Sequence, residues 1–277
     1  YHDKDCFIIA SEVKAIQLIV SSSVDELSIK ESQIFRRPTP GYSFFEDIKE
    51  LLPGNLIEGE FTSFKITRYE KPLDQFSLNK SDSLLDIVRE SVQIHQRADC
   101  NISSMISGGV DSTIISLLAD KVHDLYTIGT KDNNEYEPSR LTALKIGKNI
   151  KCIRISNDQI KLNWQKLTQI KGEPIFVPNE ALIYQLSLNL DNKTKVILTG
   201  EGADELFMGY TNIMKQVLEK NIKTKLEFFK RYSYQNNLSE NNVSERFFHW
   251  DEKVNGSNFN IEYIRRFFLN FHLPTLL

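Results

Sequence analysis

Two short stretches rich in glycine and acidic residues carry the side chains best suited to chemistry. The first is SGGVDS, from Ser107 to Ser112, which follows the apolar run NISSMI. The adjacent glycines Gly108 and Gly109 allow unusual backbone angles and let main-chain amides approach a ligand closely. Amides at a helix start carry partial positive charge, and the two serines add hydroxyl donors. The stretch therefore predicts a phosphate or pyrophosphate site.

Asp111 adds a carboxylate to the same turn. A carboxylate repels phosphate, but the two are compatible when a Mg²⁺ ion lies between them. The turn therefore predicts a polyphosphate together with a metal ion. The alternative is an ordinary strand-to-helix turn in which Asp111 is a helix-start acid. Neither a Walker sequence nor G-x-G-x-x-G is present in the chain.

The second stretch, LTGEGADELFMGY, follows the apolar run KVIL. It holds two glycines and three acids within six positions: Gly200, Glu201, Gly202, Asp204 and Glu205. Loops after parallel strands share one edge of a sheet, and ligands bind there. We therefore expect Asp111 and Asp204 to share Mg²⁺ and Glu201 to point at the reacting centre. Alternatively the acids cap the next helix, which explains Glu205 but not two glycines around Glu201.

Strand-like and helix-like segments alternate between residues 81 and 200. The strand-like segments are NISSMI, HDLYTIG, KCIRIS and TKVILTG. The helix-like segments are SDSLLDIVRESVQIHQRA, DSTIISLLADKV, EPSRLTALKIGKN and NEALIYQLSLNL. This alternation predicts an α/β fold with a doubly wound, Rossmann-like parallel sheet.

The regions on either side of this alternation differ from it. Residues 1–75 predict a small, mainly β segment. A strand in CFIIA runs into a short helix in SEVKAIQLIV, LLPGNLIEGE is a Pro-Gly turn between strand-like pieces, and FTSFKITRYE is a half-buried strand. The polar connection KPLDQFSLNKSD places a domain boundary between residues 75 and 76, so the second domain covers residues 76–277. After Asp204 the sequence is helical and aromatic. The runs RFFHW and RRFFLNF suggest either base stacking or packing, and their helical spacing in an acidic chain favours packing.

Composition argues against several classes of function. The net charge of −3 and the pI near 6.0 give no electrostatic case for nucleic acid or an anionic membrane. No stretch approaches the length of a membrane helix. Cys6, Cys100 and Cys152 lack metal-type spacing, which favours reduced thiols and a cytoplasmic protein.

Taken together, the two stretches resemble the asparagine synthetase family, within the ATP pyrophosphatases that share a Ser-Gly-Gly-x-Asp-Ser loop, the PP-loop. The second stretch is similar to that family's Ser-Gly-Glu-Gly-Ser/Ala-Asp-Glu, with Thr199 in place of serine. QRADCNISSM and Glu173-Pro174 extend the resemblance. IIASEVKAI and FEDIKELLPGNLIEG resemble the end of the family's glutaminase domain, so the similarity covers most of residues 1–210.

The resemblance implies an ATP-dependent ligase that adenylates a carboxylate, releases pyrophosphate and transfers the acyl group to ammonia or an amine. It assigns Mg²⁺ to Asp111 and Asp204, the role of catalytic acid/base to Glu201, and substrate binding to Glu173. Asp111 is implied as a second catalytic residue. The ATP-binding residues that it implies are Ile106, Ser107, Gly108, Gly109, Asp111, Ser112, Ile128, Thr199 and Gly200. Aspartate and ammonia are the default small-molecule substrates of the family.

Two departures from the family pattern limit what this chain is expected to do alone. The family's N-terminal nucleophilic cysteine is absent, because Cys6 does not open the chain, so we expect no glutamine hydrolysis. The later segment that carries a catalytic lysine is also absent, so we expect ATP binding with poor turnover. Missing flanking segments or a partner chain would supply these parts. The sequence does not decide whether the chain forms a homodimer.

Three other functions remain open at this point. The chain is alternatively a related amidotransferase, a synthetase that forms β-lactams or cyclic peptides, or an ATP-binding module without turnover. A PP-loop enzyme of tRNA modification is disfavoured, because the chain has neither basic patches nor paired cysteines.

Overall fold

The computed structural model describes residues 1–60, 63–69, 83–219, 221–233, 235 and 237–276. The chain divides into two compact units. The sheet unit consists of Phe76–Leu167 and Pro178–Glu201, and the helical unit consists of Tyr1–Gln75, Thr168–Val177 and Gly202–Leu277. The predicted boundary between residues 75 and 76 lies outside the described residues, so the division into 1–75 and 76–277 stays a prediction.

The sheet unit contains a four-stranded parallel sheet. Its strands are β3 (Asn101–Met105), β4 (Asp124–Gly129), β5 (Asn149–Arg154) and β6 (Thr194–Leu198), in the order β5-β4-β3-β6. Its helices are α3 (Leu84–His95), α4 (Val110–Leu118), α5 (Tyr136–Ile146) and α7 (Asn179–Ser187). Every predicted strand and helix of this region is present, which confirms the α/β fold with a parallel sheet. This architecture is consistent with the PP-loop fold.

The central strands form because their residues are apolar or small enough to be buried on both faces. Three consecutive residues are buried in β3 and three in β4. A parallel sheet covered by helices selects such continuously buried runs. The core between this sheet and its helices includes Val92, Ile102, Ile106, Leu125, Ala143 and Leu198.

One long helix is absent from the predicted elements. Helix α6 (Asn157–Lys171) is fifteen residues long. Ile160, Trp164 and Leu167 follow the i, i+4, i+7 spacing of an apolar helix face, so the sequence does carry a signal for it. Many polar residues lie between these three, and they make the segment similar to a connecting loop.

The N-terminal part of the helical unit contains the predicted short helix and one helix that was not predicted. It contains α1 (Val13–Gln17), α2 (Glu26–Phe35) and an antiparallel pair of strands, β1 (Asn55–Glu60) and β2 (Ser63–Arg68). The predicted strand in CFIIA is wrong in extent, because Phe7 forms only an isolated bridge with His2. Helix α2 was not predicted, although Asp25 caps it by accepting hydrogen bonds from the amides of Leu27 and Ser28.

The remainder of the helical unit is built on an aromatic core. Its helices are α8 (Ala203–Phe207), α9 (Thr211–Leu218), α10 (Lys225–Ser233), α11 (Glu245–Asn255), α12 (Ile261–Phe267) and α13 (Leu273–Leu276), with a π-helical turn at Phe268–His272. Phe247, Phe267, Phe268 and Phe271 are at most 1% exposed. The packing interpretation of the two aromatic runs is therefore confirmed for these residues.

Two further observations bear on the class of protein. Among the helices that the structure describes, none is long and apolar enough to cross a membrane. The three cysteines are free thiols.

Candidate active site

The order of strands reverses between β3 and β6. From β3 the chain continues through β4 to β5 on one side, and β6 then pairs with the opposite side of β3. Ligands of open parallel sheets bind beyond the carboxyl ends of the strands at such a reversal. The two predicted stretches lie there, because the loop that contains Ser107 follows β3 and Thr199 directly follows β6.

Buried hydroxyl groups hold β3 to its neighbours just before these loops begin. Ser104 of β3 is fully buried, and its Oγ lies 3.0 Å from Oγ of Ser116 on α4. The same hydroxyl donates to the carbonyl of Leu198 on β6 at 3.2 Å. Buried polar groups that are satisfied in this way fix relative positions. The ends of β3 and β6 and the helix α4 are therefore held in one arrangement.

Gly108 is required both by its backbone angle and by its surroundings. Its φ of 76° lies in the left-handed region, which favours glycine. A Cβ on residue 108 would lie 2.7 Å from Cβ of Pro138 and 3.2 Å from the amide nitrogen of Ser139. The loop after β3 thus passes directly against the start of α5. Ser139 fixes this approach, because its Oγ donates to the carbonyl of Ile106 at 3.1 Å.

The loop then turns into α4 with Gly109 at the N-cap. Gly109 has no side chain, and no side-chain hydrogen bond caps the helix. Oγ of Ser112 lies 3.1 Å from Oγ of Ser107 and accepts from the amide of Ser107 at 3.2 Å. First-turn amides without a capping partner, next to two hydroxyl groups, are a suitable surface for an anion.

The second stretch contacts the first at Gly200. A Cβ on residue 200 would lie 2.9 Å from the amide nitrogen of Ser112 and 3.2 Å from Cβ of Asp111. Thr199 supports the turn, because its Oγ1 accepts from the amide of Glu201 at 3.3 Å. The side chains of Asp111 and Glu201 are both exposed. The two stretches therefore form one surface at the reversal of the sheet, with two accessible carboxylates.

Two residues implied in adenine and ribose binding lie at different depths. The Ile106 side chain is 2% exposed and packs in the core, while its amide donates to the carbonyl of Tyr126 at 2.9 Å. The Ile128 side chain is half-buried. The implied roles of both residues beside the nucleoside stay predictions.

Asp204 belongs to the helical unit, whereas Asp111 belongs to the sheet unit. Asp204 lies in the first turn of α8, and its side chain is exposed. Gly202, two residues earlier in the sequence, has a φ of 92°. The main chain of Asp204 folds tightly on Gly209, whose amide donates to the Asp204 carbonyl at 2.8 Å. Within the described ranges no three His, Cys, Asp or Glu side chains cluster in a way that would hold a metal. A Mg²⁺ ion shared by Asp111 and Asp204 stays a prediction.

Glu205 is a buried residue of the same stretch. It is 1% exposed and accepts a hydrogen bond from the hydroxyl of Tyr210. Its Oε1 also lies 3.8 Å from Nε2 of His272, whose Nδ1 is 2.8 Å from the Tyr232 hydroxyl. Burial and the bond to Glu205 raise the pKa of Tyr210, so this hydroxyl keeps its proton and donates it. This network anchors α8, the helix that contains the predicted metal ligand Asp204.

Glu173, the predicted substrate residue, lies in a charged cluster of the helical unit. Burial raises the pKa of its carboxyl to about 7. The carboxylates of Glu12 and Glu50 act in the same direction, whereas the cations of Lys171 and Arg37 act against it. Arg37 is 3% exposed and pairs with Glu50 at 2.6 Å. A carboxyl that titrates near neutrality between two cations is suited to proton exchange or to contact with a polar ligand.

Sequence reasoning missed the residues that support the loops. Pro138 and Ser139 hold the turn at Gly108, and Tyr210 and His272 hold Glu205. Pro138 and Ser139 carry a weak signal in the sequence. They lie at the start of a predicted helix, and the helices that follow parallel strands begin at the same edge of the sheet. His272 carries none, since it is 67 positions from Glu205 in the sequence.

The chain is similar to known ligases of one family. A family model described as asparagine synthase matches residues 83–260, which is more than half of the chain. A Bacillus subtilis protein named asparagine synthetase [glutamine-hydrolyzing] 1 is 26% identical over 223 residues, covering 76% of this chain and 35% of that protein. A Mycobacterium bovis protein provisionally given the same enzyme name is 30% identical over 135 residues, covering 47% of this chain and 21% of that protein.

A more distant relative carries a different name. Amidase chyE of Penicillium rubens is 23% identical over 218 residues, covering 64% of this chain and 31% of that protein. The chain thus spans about a third or less of the length of these three relatives.

Proposed function

The chain belongs to the asparagine synthase family, and from this premise we propose that it is the ATP-binding part of an amide-forming ligase. The observation that carries the proposal is the contact of Gly200 with the Ser112 amide and with Asp111 at the reversal of the sheet. This contact makes one ligand surface from two loops that are separated by about 90 residues in the sequence. ATP-dependent amide formation needs a phosphate site next to a carboxylate that can accept a proton, and this surface offers both.

In the proposed reaction, a carboxylate oxygen of the substrate attacks the α-phosphorus of ATP. The bond to the leaving oxygen breaks, and pyrophosphate departs with the electron pair. The α4 amides and the hydroxyl groups of Ser107 and Ser112 bind the pyrophosphate and stabilise its charge. Asp111 and Asp204 would hold Mg²⁺, which would supply further charge neutralisation at the leaving group.

The second half of the reaction forms the amide. The nitrogen of ammonia or an amine attacks the carbonyl carbon of the acyl-adenylate, and AMP leaves with the electron pair. The attacking nitrogen becomes acidic and must lose a proton, which we assign to the exposed carboxylate of Glu201. Glu173 would contact the polar end of the substrate, which its partly buried, charged surroundings support.

Aspartate and ammonia are the substrates that we propose first, because two of the three relatives carry the name asparagine synthetase. Because one relative is named an amidase, other amide chemistry is the alternative to this reaction. The three free thiols support a reducing, cytoplasmic location.

Exchange of radiolabelled pyrophosphate into ATP tests this proposal. The wild-type chain would be assayed with Mg²⁺ and a panel of carboxylic acids that begins with aspartate. We expect exchange that depends on one acid and is lost in Asp111→Asn. Asp120→Asn is the matched control, because Asp120 is an exposed aspartate just after the other end of α4. Absence of exchange with every acid, while ATP still binds, would contradict ligase activity of this chain and favour an ATP-binding module.

A further inference from the structure

The helical unit contains a cavity of about 470 Å³ that the proposed reaction does not use. Its walls come from the end of α2, from α9 and α10, and from the π-helical turn at Phe268–His272. The volume lies within the range of small-molecule sites. None of the residues assigned above to ATP, metal or substrate lines this cavity, which we call the cationic pocket.

Three cationic side chains converge on the cationic pocket. Arg36 comes from the residue after α2, and Lys230 and Arg231 come from the last turn of α10. No aspartate or glutamate is among the described residues that line it. Cations that line one cavity attract an anionic ligand.

Helix chemistry alone explains only part of this arrangement. Lys230 and Arg231 complement the negative end of α10, which is a common position for basic residues. Arg36 has a left-handed φ of 74°, which is uncommon for a residue other than glycine. In that conformation its guanidinium lies 5.5 Å from the centre of the Tyr232 ring. This left-handed residue is the C-cap that ends α2, and its guanidinium is the third cation at the pocket.

The pocket also has aromatic walls. The Tyr210 ring stacks on Phe268 with a centroid distance of 4.2 Å, and both line the cavity together with Tyr232. Phe268 and Tyr232 are almost fully buried, so the half-buried Tyr210 ring is the aromatic surface among the three that a planar ligand can contact. A bare inorganic ion would leave this ring unused.

Gln216 supplies an acceptor without a partner. Its Oε1 is buried and accepts no hydrogen bond from any residue that the structure describes. Leaving such a buried acceptor unpaired is costly, so nearly all of them are satisfied in folded proteins. Because Gln216 lines the cavity, an N–H or O–H group of a ligand that reaches its side-chain amide would satisfy this acceptor.

His272 does not contribute charge to the pocket near neutral pH. Burial, together with the nearby Arg36, lowers its pKa to about 4, although Glu205 lies 3.8 Å from its Nε2. The positive charge of the pocket therefore comes from Arg36, Lys230 and Arg231.

We propose that the cationic pocket binds a small organic anion that combines a planar ring, a phosphate or carboxylate group and an N–H or O–H donor. A nucleoside monophosphate and a hydroxylated aromatic acid share this chemistry. The anionic group binds between Arg36 and Arg231, the ring packs on Tyr210, and the donor bonds to Gln216. This inference does not depend on the proposed ligase activity.

Labelling of Lys230 tests the inference at the level of one residue. Pyridoxal 5′-phosphate has the required ring and phosphate, and its aldehyde condenses with a lysine amine to an imine and water. Borohydride reduces the imine to a stable amine that peptide mass spectrometry locates. We expect Lys230 to be labelled about tenfold faster than Lys253, an exposed lysine outside the pocket. Arg231→Gln should slow the labelling of Lys230 to about that of Lys253, whereas Lys253→Gln should leave the rate of Lys230 labelling unchanged.

Competition then identifies the class of ligand. AMP, 4-hydroxybenzoate and inorganic phosphate would each be added before the aldehyde. Stronger protection of Lys230 by AMP identifies a phosphorylated ligand, and stronger protection by 4-hydroxybenzoate identifies an aromatic acid. Protection by inorganic phosphate as strong as by AMP would contradict the role of the ring. Labelling of Lys230 no faster than of Lys253 would overturn the proposal altogether. These readouts are independent of pyrophosphate exchange, so the two proposals fail separately.

The unpaired acceptor gives a second test that does not rely on lysine chemistry. Gln216→Leu keeps the side-chain volume but removes Oε1. Without ligand we expect the variant to be as stable as wild type or more stable, because the unpaired buried acceptor is gone. With AMP its melting temperature should rise by less than half of the wild-type increase. An equal increase in both proteins would contradict the assigned role of Gln216.

Discussion

The main chain of Gly200 lies so close to Ser112 that a Cβ on residue 200 would come within 2.9 Å of the Ser112 amide nitrogen. This contact joins the loop after β6 to the first turn of α4, and it brings the accessible carboxylates of Asp111 and Glu201 onto one surface. A methyl group at this position would push the two loops apart. The arrangement of the proposed ATP site therefore depends on the absence of a side chain at residue 200.

Gly200→Ala is expected to weaken ATP binding. Overpacking of this kind costs about 1–3 kcal/mol, which corresponds to about tenfold or more in the dissociation constant measured by titration calorimetry. Gly147→Ala is the matched control, because a Cβ on residue 147 meets nothing within 4 Å. Equal ATP affinities in both variants would show that the two loops do not form one site.

Gly108→Ala is expected to lower stability as well as ATP binding. Its left-handed φ costs a residue with a side chain about 1–2 kcal/mol, and the clash with Pro138 adds about 1–3 kcal/mol. We expect the free energy of unfolding in urea to fall by about 3 kcal/mol. Gly147 has a similar φ of 70° in open space, so Gly147→Ala should show only the backbone cost. If the two variants are equally stable, the close approach of α5 is not present in solution.

Glu173→Gln is expected to stabilise the chain at high pH and not at low pH. Burial raises the pKa of Glu173 from 4.5 to about 7, so between these values the native state binds more protons than the unfolded state. Stability of the wild type therefore falls as pH rises through that window. Glutamine has no such titration, and the variant should gain roughly 2 kcal/mol over wild type at pH 8 and nothing at pH 4.

Chemical denaturation at several pH values measures this gain for Glu173→Gln. Glu137→Gln is the control, because Glu137 is an exposed carboxylate in an ion pair with Arg140. A gain that is the same at pH 4 and pH 8 would contradict the raised pKa of Glu173.

Arg246→Met is expected to destabilise the helical unit strongly. Arg246 donates to Glu31 at 2.6 Å and to Asp25 at 2.7 Å, and Glu31 is 2% exposed. Removing the arginine leaves a buried carboxylate without its counter-charge, which costs about 3–5 kcal/mol. Arg89→Met breaks an exposed pair with Asp86 and should cost less than about 1 kcal/mol. Similar losses in the two variants, measured by urea unfolding, would contradict the difference in burial.

The sheet and the loops after β3 and β6 were predictable, because the local sequence patterns there match the elements that the fold contains. Apolar runs of strand length end at glycine-containing turns, and helical spacing follows, so β3, α4 and β6 could be identified from sequence. Helices α2 and α6 were missed because their apolar residues are separated by many polar ones. In α2 the capping signal of Asp25 is present, but the strand-like segments around it suggest β structure.

The support of the site was not predictable, because it depends on tertiary contacts. Pro138 lies against Gly108 from a different helix, and the link from Glu205 to His272 joins distant parts of the sequence. The cationic pocket likewise combines Arg36 with Lys230 and Arg231, about 195 positions further along the chain. No periodicity or spacing rule connects residues at such separations, so only the fold reveals them.

Titration of Mg²⁺-ATP into the chain by calorimetry tests most directly whether the two loops form a nucleotide site. The wild type should bind one equivalent of ATP, and Asp111→Asn should bind about tenfold more weakly because the proposed metal ligand is lost. Asp120→Asn, at the opposite end of α4, should bind as the wild type does. Equal affinity in all three proteins, or no binding by the wild type, would contradict an ATP site at the reversal of the sheet.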